Sequence, residues 1–245
     1  MRPMRTTPLQ IATPDGTADA TLYTPDGAGP FPGVLFFMDA LGYRPSMHQM
    51  AQRLAAAGYA VLLPDLFYRA KPYAPFDGKA VWGNPDERAR LMKLIASLDA
   101  GAALRDTTAY LDALSKQPGV RASPMGCVGY CMGGRLAFTA AGTLPERVGA
   151  AASFHGGHLA TDKPDSPHLK ASSIKAALYF GVADADPSCT LEHQRLLASA
   201  LQSAKVRYTL DFNPGLAHGW CVPDSPVFNA AGAVRLAFFG EALAR

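Results

Sequence analysis

The sequence is poor in the features that would mark several classes of protein. Its 245 residues hold only four cysteines, at 127, 131, 189 and 221, and these make no paired metal spacing. Cys127 and Cys131 stand four apart across an expected strand and turn, so their sulfurs would not converge on one ion. No apolar run is long enough to cross a bilayer. The N-terminal MRPMRTTPLQ is basic but lacks the apolar core of a secretory signal. Charge is also sparse: 18% of residues are charged, and 23 Lys and Arg against 20 Asp and Glu leave a net +3. The basic residues form no dense run, so a nucleic-acid partner has little support. Internal repeats and linkers are missing. The chain reads as a soluble, cytoplasmic protein with free thiols. No metal, cofactor, nucleic acid or membrane is expected as a partner, and the oligomeric state cannot be read.

What is present is a core. Hydrophobic residues make up 49% of the chain, enough to bury a substantial interior. IATPDGTADATLYTP reads as an N-terminal β-hairpin with its turn at Asp15-Gly16. Val34 to Met38 is a continuous apolar run, as expected of a strand covered on both faces in a parallel sheet. Met47 to Ala57 reads as a helix closed by Gly58, and Ala60 to Leu63 as a second buried strand ended by Pro64. Residues 66–84, rich in aromatics, Pro and Gly, read as a long surface excursion. Asn84-Pro85-Asp86-Glu87 is a strong helix start. The next helix is expected to bury Leu104, Thr108, Leu111 and Leu114 on one face. Further strands are expected up to Gly129, at Val148–Phe154, Ala176–Phe180 and Val206–Phe212, with helices over Thr190–Ser203 and Pro226–Ala244. Strands and helices alternate throughout. The expectation is one α/β domain over residues 1–245, its central sheet mostly parallel with helices on both faces. Function in such sheets gathers at the carboxyl ends of the strands. Asp39, Cys131, Asp184 and His218 fall there.

Cys131 lies in VGYCMGGR, residues 128–135, where a strand gives way to a helix. Gly129-Tyr130-Cys131-Met132-Gly133 is the nucleophile-elbow pattern with sulfur in place of the usual serine oxygen. The turn is so sharp that larger flanking side chains would collide with the neighbouring strand and helix. The helix start faces the sulfur, which favours a thiolate and supplies N–H groups for a developing oxyanion. A buried, inert thiol is the bland alternative, and it suits Cys127 better.

His218, in LAHGW, follows the last expected strand. The order nucleophile, acid, histidine is that of α/β-hydrolases. The acid should follow Ala177–Phe180, where GVADADP offers Asp184 and Asp186. Asp184 is preferred because it lies nearer the expected strand end, whereas Asp186 could cap the next helix. His155 and His158 in FHGGH read as pocket lining or plain surface.

On GYCMGG around Cys131, MDALG at 38–42, LLPDLF at 62–67, GVADADP at 181–187 and AHGW at 217–220, the sequence resembles the dienelactone hydrolase family of α/β-hydrolases. These segments span most of the chain from residue 30 onward. The resemblance implies an esterase or lactonase with a Cys-His-Asp triad. Cys131 would be the nucleophile, Asp184 the orienting acid and His218 the base, with the N–H groups of Met132 and Ala40 as oxyanion donors. The family has a glutamate contacting the resting thiol, where this chain has the shorter Asp39. That residue would therefore contact and gate the thiol, or instead tie down the loop that carries Ala40. Arg69 and Arg135 fall in no motif that matches the family's substrate-binding arginines. Two other readings stay open: a hydrolase-fold protein that binds a small molecule with little turnover, and a redox-sensing thiol pairing Cys131 with Cys221. Aromatics at Phe67, Tyr68, Tyr73, Phe76, Trp82 and Trp220 suggest an aromatic-lined pocket or, equally, packing.

Overall fold

The two ends of the chain's first forty residues behave differently because one is built for a sheet edge and the other for its centre. The computed structural model describes residues 3–229. Strands β1 (Met4–Thr13) and β2 (Gly16–Pro25) form the expected hairpin, with Thr13 opposite Gly16 across the two-residue loop. Gly16 has φ +141°, a conformation that side-chain-bearing residues rarely adopt. Strand β3 (Phe31–Phe37) instead buries Val34 to Phe37 completely, as a central parallel strand should.

Five more strands extend the sheet. β4 (Ala60–Pro64), β5 (Val120–Tyr130), β6 (Val148–Phe154), β7 (Ala177–Ala185) and β8 (Tyr208–Ala217) complete the order β1-β2-β4-β3-β5-β6-β7-β8. β1, β2 and β4 pair antiparallel; every pair from β4 through β3 to β8 is parallel. Helices α1 (Pro45–Ala56), α2 (Pro85–Ala96), α3 (Ala100–Ser115), α4 (Met132–Thr143) and α5 (Leu191–Ser203) alternate with the strands. This is the mostly parallel α/β architecture that the sequence implies. Asn84 caps α2 as expected, its side chain accepting from the N–H groups of Asp86 and Glu87. Thr190, not Asp186, caps α5.

Several local expectations need correction. In α3, Leu111 and Leu114 are buried but Leu104 is 38% exposed. Ala103, Thr107 and Tyr110 share the inner face, because sinking the Tyr110 ring turns Leu104 outward. Residues 66–84 are not simply a surface excursion. Two short 3-10 turns interrupt them, and Phe67, Tyr68, Phe76 and Val81 are buried. The Tyr68 hydroxyl ties the segment down by donating to Asp106 Oδ1 at 2.9 Å. Residues 226 and 227 form a turn and 228 and 229 are irregular, and the rest of the helix expected over Pro226–Ala244 lies outside the described residues.

Two strands outrun their expected ends. β7 continues five residues past Phe180 to Ala185, and β8 five past Phe212 to Ala217. They sustain each other: Val182 pairs with Phe212 and Ala183 with Asn213, and then a bulge in β8 precedes the pairing of Ala185 with Ala217. The sheet's carboxyl edge is set by this late pairing.

The tightest packing lies where β5 turns into α4. A Cβ on Gly129 would stand 1.9 Å from the Gly133 carbonyl oxygen, a backbone atom with no room to retreat. Gly129→Ala should therefore destabilise the protein by more than about 3 kcal/mol or abolish folding. Gly83→Ala, with nothing within 4 Å, should shift stability by less than about 0.5 kcal/mol. Thermal unfolding of the two variants checks the contrast.

Candidate active site

Cys131 occupies the single residue between β5 and α4, with φ +54° and ψ −117°. Such a backbone is costly for a non-glycine residue and persists only where the surroundings dictate it. Here they do. The Cys131 N–H donates to the Phe154 carbonyl at 3.0 Å, while the Cys131 carbonyl accepts from Gly134 at 3.0 Å and Arg135 at 3.3 Å. The helix starts hard against β3: a Cβ on Gly133 would meet the carbonyl oxygens of Phe37 at 2.3 Å and Met38 at 2.5 Å. This closeness brings the loop from Met38 to Ala40 beside the start of α4. Among the described residues, the N–H groups of Met132 and Ala40 have no hydrogen-bond acceptor. The Cys131 side chain is partly exposed, whereas Cys127, Cys189 and Cys221 are buried. Burial pushes the thiols of Cys127 and Cys189 up to about 12 and that of Cys221 well above its ordinary value.

His218 directly follows β8, and its acid partner is Asp186. Nδ1–H of His218 donates to Asp186 Oδ2 at 2.8 Å. Asp184, preferred from the sequence, makes no contact with the imidazole. It is exposed, and its Oδ1 accepts the N–H of Gly215 at 2.8 Å, closing the bulge in β8. The reason for the correction is strand length. With β7 running to Ala185, Asp184 is still inside the strand and Asp186 is the first residue beyond it. Asp186 is 2% exposed and fully engaged. Its Oδ1 accepts the Ser188 hydroxyl at 2.6 Å and the Ser188 N–H at 2.8 Å. Burial works to raise the Asp186 carboxyl's pKa, but the bonds to His218 and Ser188 outweigh it and hold it below the usual value.

The Cys131 thiol is near enough to the imidazole to act on its charge. Nδ1 is taken by Asp186, which leaves Nε2 free of that bond. Burial would lower the pKa of His218, yet the charges of Cys131 and Asp186 overcome it and lift it to about 10. Cys131, His218 and Asp186 thus stand together at the ends of β5, β8 and β7, with His218 hydrogen-bonded to Asp186. Sequence reasoning missed Ser188, whose signal is the Asp-x-Ser spacing that lets hydroxyl and N–H bind one carboxylate oxygen. His155, read as pocket lining or surface, is instead buried beneath the site; His158 is exposed.

Asp39 is not turned to the thiol. Its Oδ1 accepts from Arg44 Nη1 at 2.5 Å and from the Leu41 N–H at 2.9 Å, and its Oδ2 accepts from Arg44 Nη2 at 2.9 Å. The geometry is that of an anchor for the Ala40 loop, not of a thiol gate. Arg44 in turn grips Asp224, with Nε 2.7 Å from Oδ2 and Nη2 3.0 Å from Oδ1, and Ser46 adds a bond to the same carboxylate. Burial opposes the charge on Arg44, but the two carboxylates outweigh it and keep the guanidinium protonated. Arg69 and Arg135 are committed elsewhere, to Asp15 and Asp106 and to Asp165 respectively. Phe67, Tyr68, Phe76 and Trp220 are buried as core, and the Tyr73 hydroxyl donates to Asp65 at 2.7 Å. Among the described residues, no group of three or more His, Cys, Asp or Glu could hold a metal, and no helix is long and apolar enough to cross a membrane.

A strand-to-helix elbow bearing a thiol, with an acid after β7 and a histidine after β8, is the layout of the α/β-hydrolase fold. Solved structures agree. A Klebsiella pneumoniae protein provisionally described as a dienelactone hydrolase superposes with TM-score 0.83 at 19% identity, over 99% of this chain and 98% of that one. A dienelactone hydrolase-like promiscuous phosphotriesterase from metagenomic libraries gives TM-score 0.78 at 25% identity, over 97% of this chain and 98% of its own. A carboxymethylenebutenolidase from Pseudomonas putida is 29% identical across 68% of each chain. The model of the dienelactone hydrolase family matches residues 18–238. The chain belongs to that family and is a hydrolase of its kind.

Two measurements follow from the charges. The lowered Asp186 pKa contributes stability above its ordinary 3.8 that is lost as pH falls through the lowered value. The raised His218 pKa contributes stability that is complete below 6.5, declines above it and is gone beyond about 10. The gap in Tm between wild type and Asp186→Asn should therefore be widest at pH 4 to 6.5 and shrink toward both extremes. Asp39→Asn should cost about 3 kcal/mol by breaking a buried pair, with alkylation of Cys131 at pH 6 to 7 unchanged per folded molecule. Faster alkylation in that variant would mean that Asp39 restrains the thiol after all.

Proposed function

We propose that the protein hydrolyses carboxylic esters or lactones through an acyl-thiol intermediate on Cys131, with His218 as base and Asp186 as its orienting acid. The observation that carries this is the 2.8 Å bond from His218 Nδ1 to Asp186 Oδ2, with the partly exposed Cys131 at the elbow near enough to act on the imidazole's charge. The thiolate attacks the substrate carbonyl carbon, and the carbonyl oxygen takes the electron pair beside the N–H groups of Met132 and Ala40. The tetrahedral adduct collapses, and the His218 imidazolium gives its proton to the departing alkoxide. In a lactone that alkoxide stays tethered to the acyl group. His218, now neutral, takes a proton from water as the water attacks the thioester, and the proton returns to the thiolate on release. Asp186 accepts from Nδ1–H throughout, which keeps Nε2 facing the sulfur and stabilises the imidazolium. Asp39 serves indirectly, by fixing the loop that carries the Ala40 N–H. The same reading takes residues 1–245 as one hydrolase domain in a reducing, cytoplasmic setting, in keeping with its four free thiols.

The test is a panel of aryl esters, thioesters, lactones and an aryl phosphotriester, assayed with wild type and three variants. Cys131→Ala should abolish turnover of esters and lactones. Asp186→Asn should lower kcat by about 10³-fold or more, as loss of the orienting acid does in serine triads. Asp184→Asn keeps an oxygen that can accept from the Gly215 N–H and removes only an exposed charge, so it should stay within about twofold of wild type. Equal damage from both aspartate variants, or turnover that survives Cys131→Ala, would refute the assignment. A burst of one product equivalent without steady release would make the protein a binder of the acyl group and not a hydrolase.

A further inference from the structure

His155 lies where the reaction has no direct use for it, yet it is placed with unusual cost. It follows β6 immediately, its N–H donates to the Gly181 carbonyl at 2.8 Å, and its φ is +39°. The residue is 1% exposed, so it does not reach substrate. Among the described residues, neither ring nitrogen has a partner of hydrogen-bond geometry. An imidazole buried with both nitrogens unpaired and its backbone strained weakens a fold, and such costs persist chiefly where a site needs them.

The ring's neighbours say what the need is. The His155 ring centroid is 4.8 Å from that of His218, with the planes at 68°. On its other flank is Tyr130, at 6.1 Å, the residue just before Cys131. Tyr130 stacks on Phe154 at 5.1 Å and lies 5.3 Å from Phe36. An aromatic ladder therefore runs from β3 through β5 and β6 and ends on the His218 imidazole, with His155 as its last rung. A hydrogen bond at Nδ1 fixes one point of the imidazole but leaves the ring free to swing about that bond. Ser188 Oγ, 3.1 Å from the same nitrogen, adds no second point. The His218 side chain is 29% exposed, and the solvent on its open side is mobile and gives the ring no fixed support. A contact on the ring itself is what remains.

We propose that His155 is a positioning residue for His218: its uncharged ring, wedged against the imidazole, fixes the plane in which His218 meets both Asp186 and Cys131. The proposal rests on the hydrolase reading and extends it to a residue outside the triad. The groups facing His155 are His218 from the loop after β8, Asp186 from the loop after β7 and Tyr130 from β5. Burial first, and the charge of His218 next, drive its pKa well below the ordinary value, which keeps this ring neutral while its neighbour is an imidazolium. A neutral aromatic ring beside a cationic one is an attractive pairing. Histidine suits the position because it enters positive φ more readily than bulkier aromatic or branched residues.

Two variants test this. His155→Leu keeps roughly the volume without the ring; His155→Phe keeps a ring without the nitrogens. Rates are normalised to the folded fraction from thermal unfolding, since both changes strain the turn. With an activated aryl ester as probe, His155→Leu should lower kcat by about tenfold or more with KM within about twofold, the mark of lost orientation. It should also slow iodoacetamide alkylation of Cys131 at pH 7 by a similar factor. His155→Phe should keep both rates within about threefold of wild type, because the ring contact survives. A leucine variant with wild-type rates, or a phenylalanine variant as impaired as leucine, overturns the proposal. Alkylation needs no substrate. If wild type shows no Cys131-dependent turnover, the functional reading fails while the alkylation comparison still decides the role of His155.

Discussion

One backbone turn governs the site. Cys131 is held at φ +54° because β5 must become α4 within a single residue. The turn closes only if Gly129 and Gly133 lack side chains: their Cβ atoms would lie 1.9 Å and 2.3 Å from backbone oxygens. Everything else is placed by this contact. The sulfur is lifted to the carboxyl edge of the sheet, and the first N–H groups of α4 are left free to face developing charge. The end of β3 is pressed against the helix start, so the Ala40 N–H arrives from a second element. The strain at Cys131 is offset by the bond of its N–H to Phe154 and by the buried parallel strands on either side.

A second constraint ties together the loops that the turn leaves separate. Arg44 binds Asp39 through two bonds and Asp224 through two more, across 180 residues of sequence. The Asp39 end holds the loop with the Ala40 N–H; the Asp224 end holds the segment just beyond His218. Buried ion pairs of this kind add little net stability, because desolvation cancels much of the attraction. Their value here is geometric: the loop that carries Ala40 and the segment after His218 are fixed relative to each other through one planar guanidinium.

The elbow was legible in the sequence because its physics is local. Gly129, Cys131 and Gly133 announce a turn that few other residue patterns would tolerate, and the apolar run Val34 to Phe37 announces the strand beside it. The carboxylate partner of His218 was not legible, for a reason equally physical. Where β7 ends depends on pairing with β8, a non-local event that carries the strand past Asp184 and leaves Asp186 as the first residue free to turn toward His218. Asp184 and Asp186 differ by two positions, so alternation alone would put them on one strand face; only the reach of the sheet, which ends at Ala185, tells them apart. Leu104 was misjudged because helical spacing alone does not reveal that the Tyr110 ring claims the inner face of α3. Arg44 carried no signal either, since its partners lie at 39 and 224 and meet only in the folded chain. Asp39 was readable as a site residue, but which of its two roles it plays depended on that unseen arginine.

The central claim is that a carbonyl carbon becomes bonded to the Cys131 sulfur during turnover. Rapid-quench mixing with an activated aryl ester, followed by intact-mass measurement and peptide mapping, tests it directly. The account predicts a transient mass gain equal to one acyl group, located on Cys131 and absent from Cys127, Cys189 and Cys221, that forms and decays at rates matching kcat. Turnover with no acyl adduct at any time point, or an adduct on another residue that is kinetically competent, would contradict it.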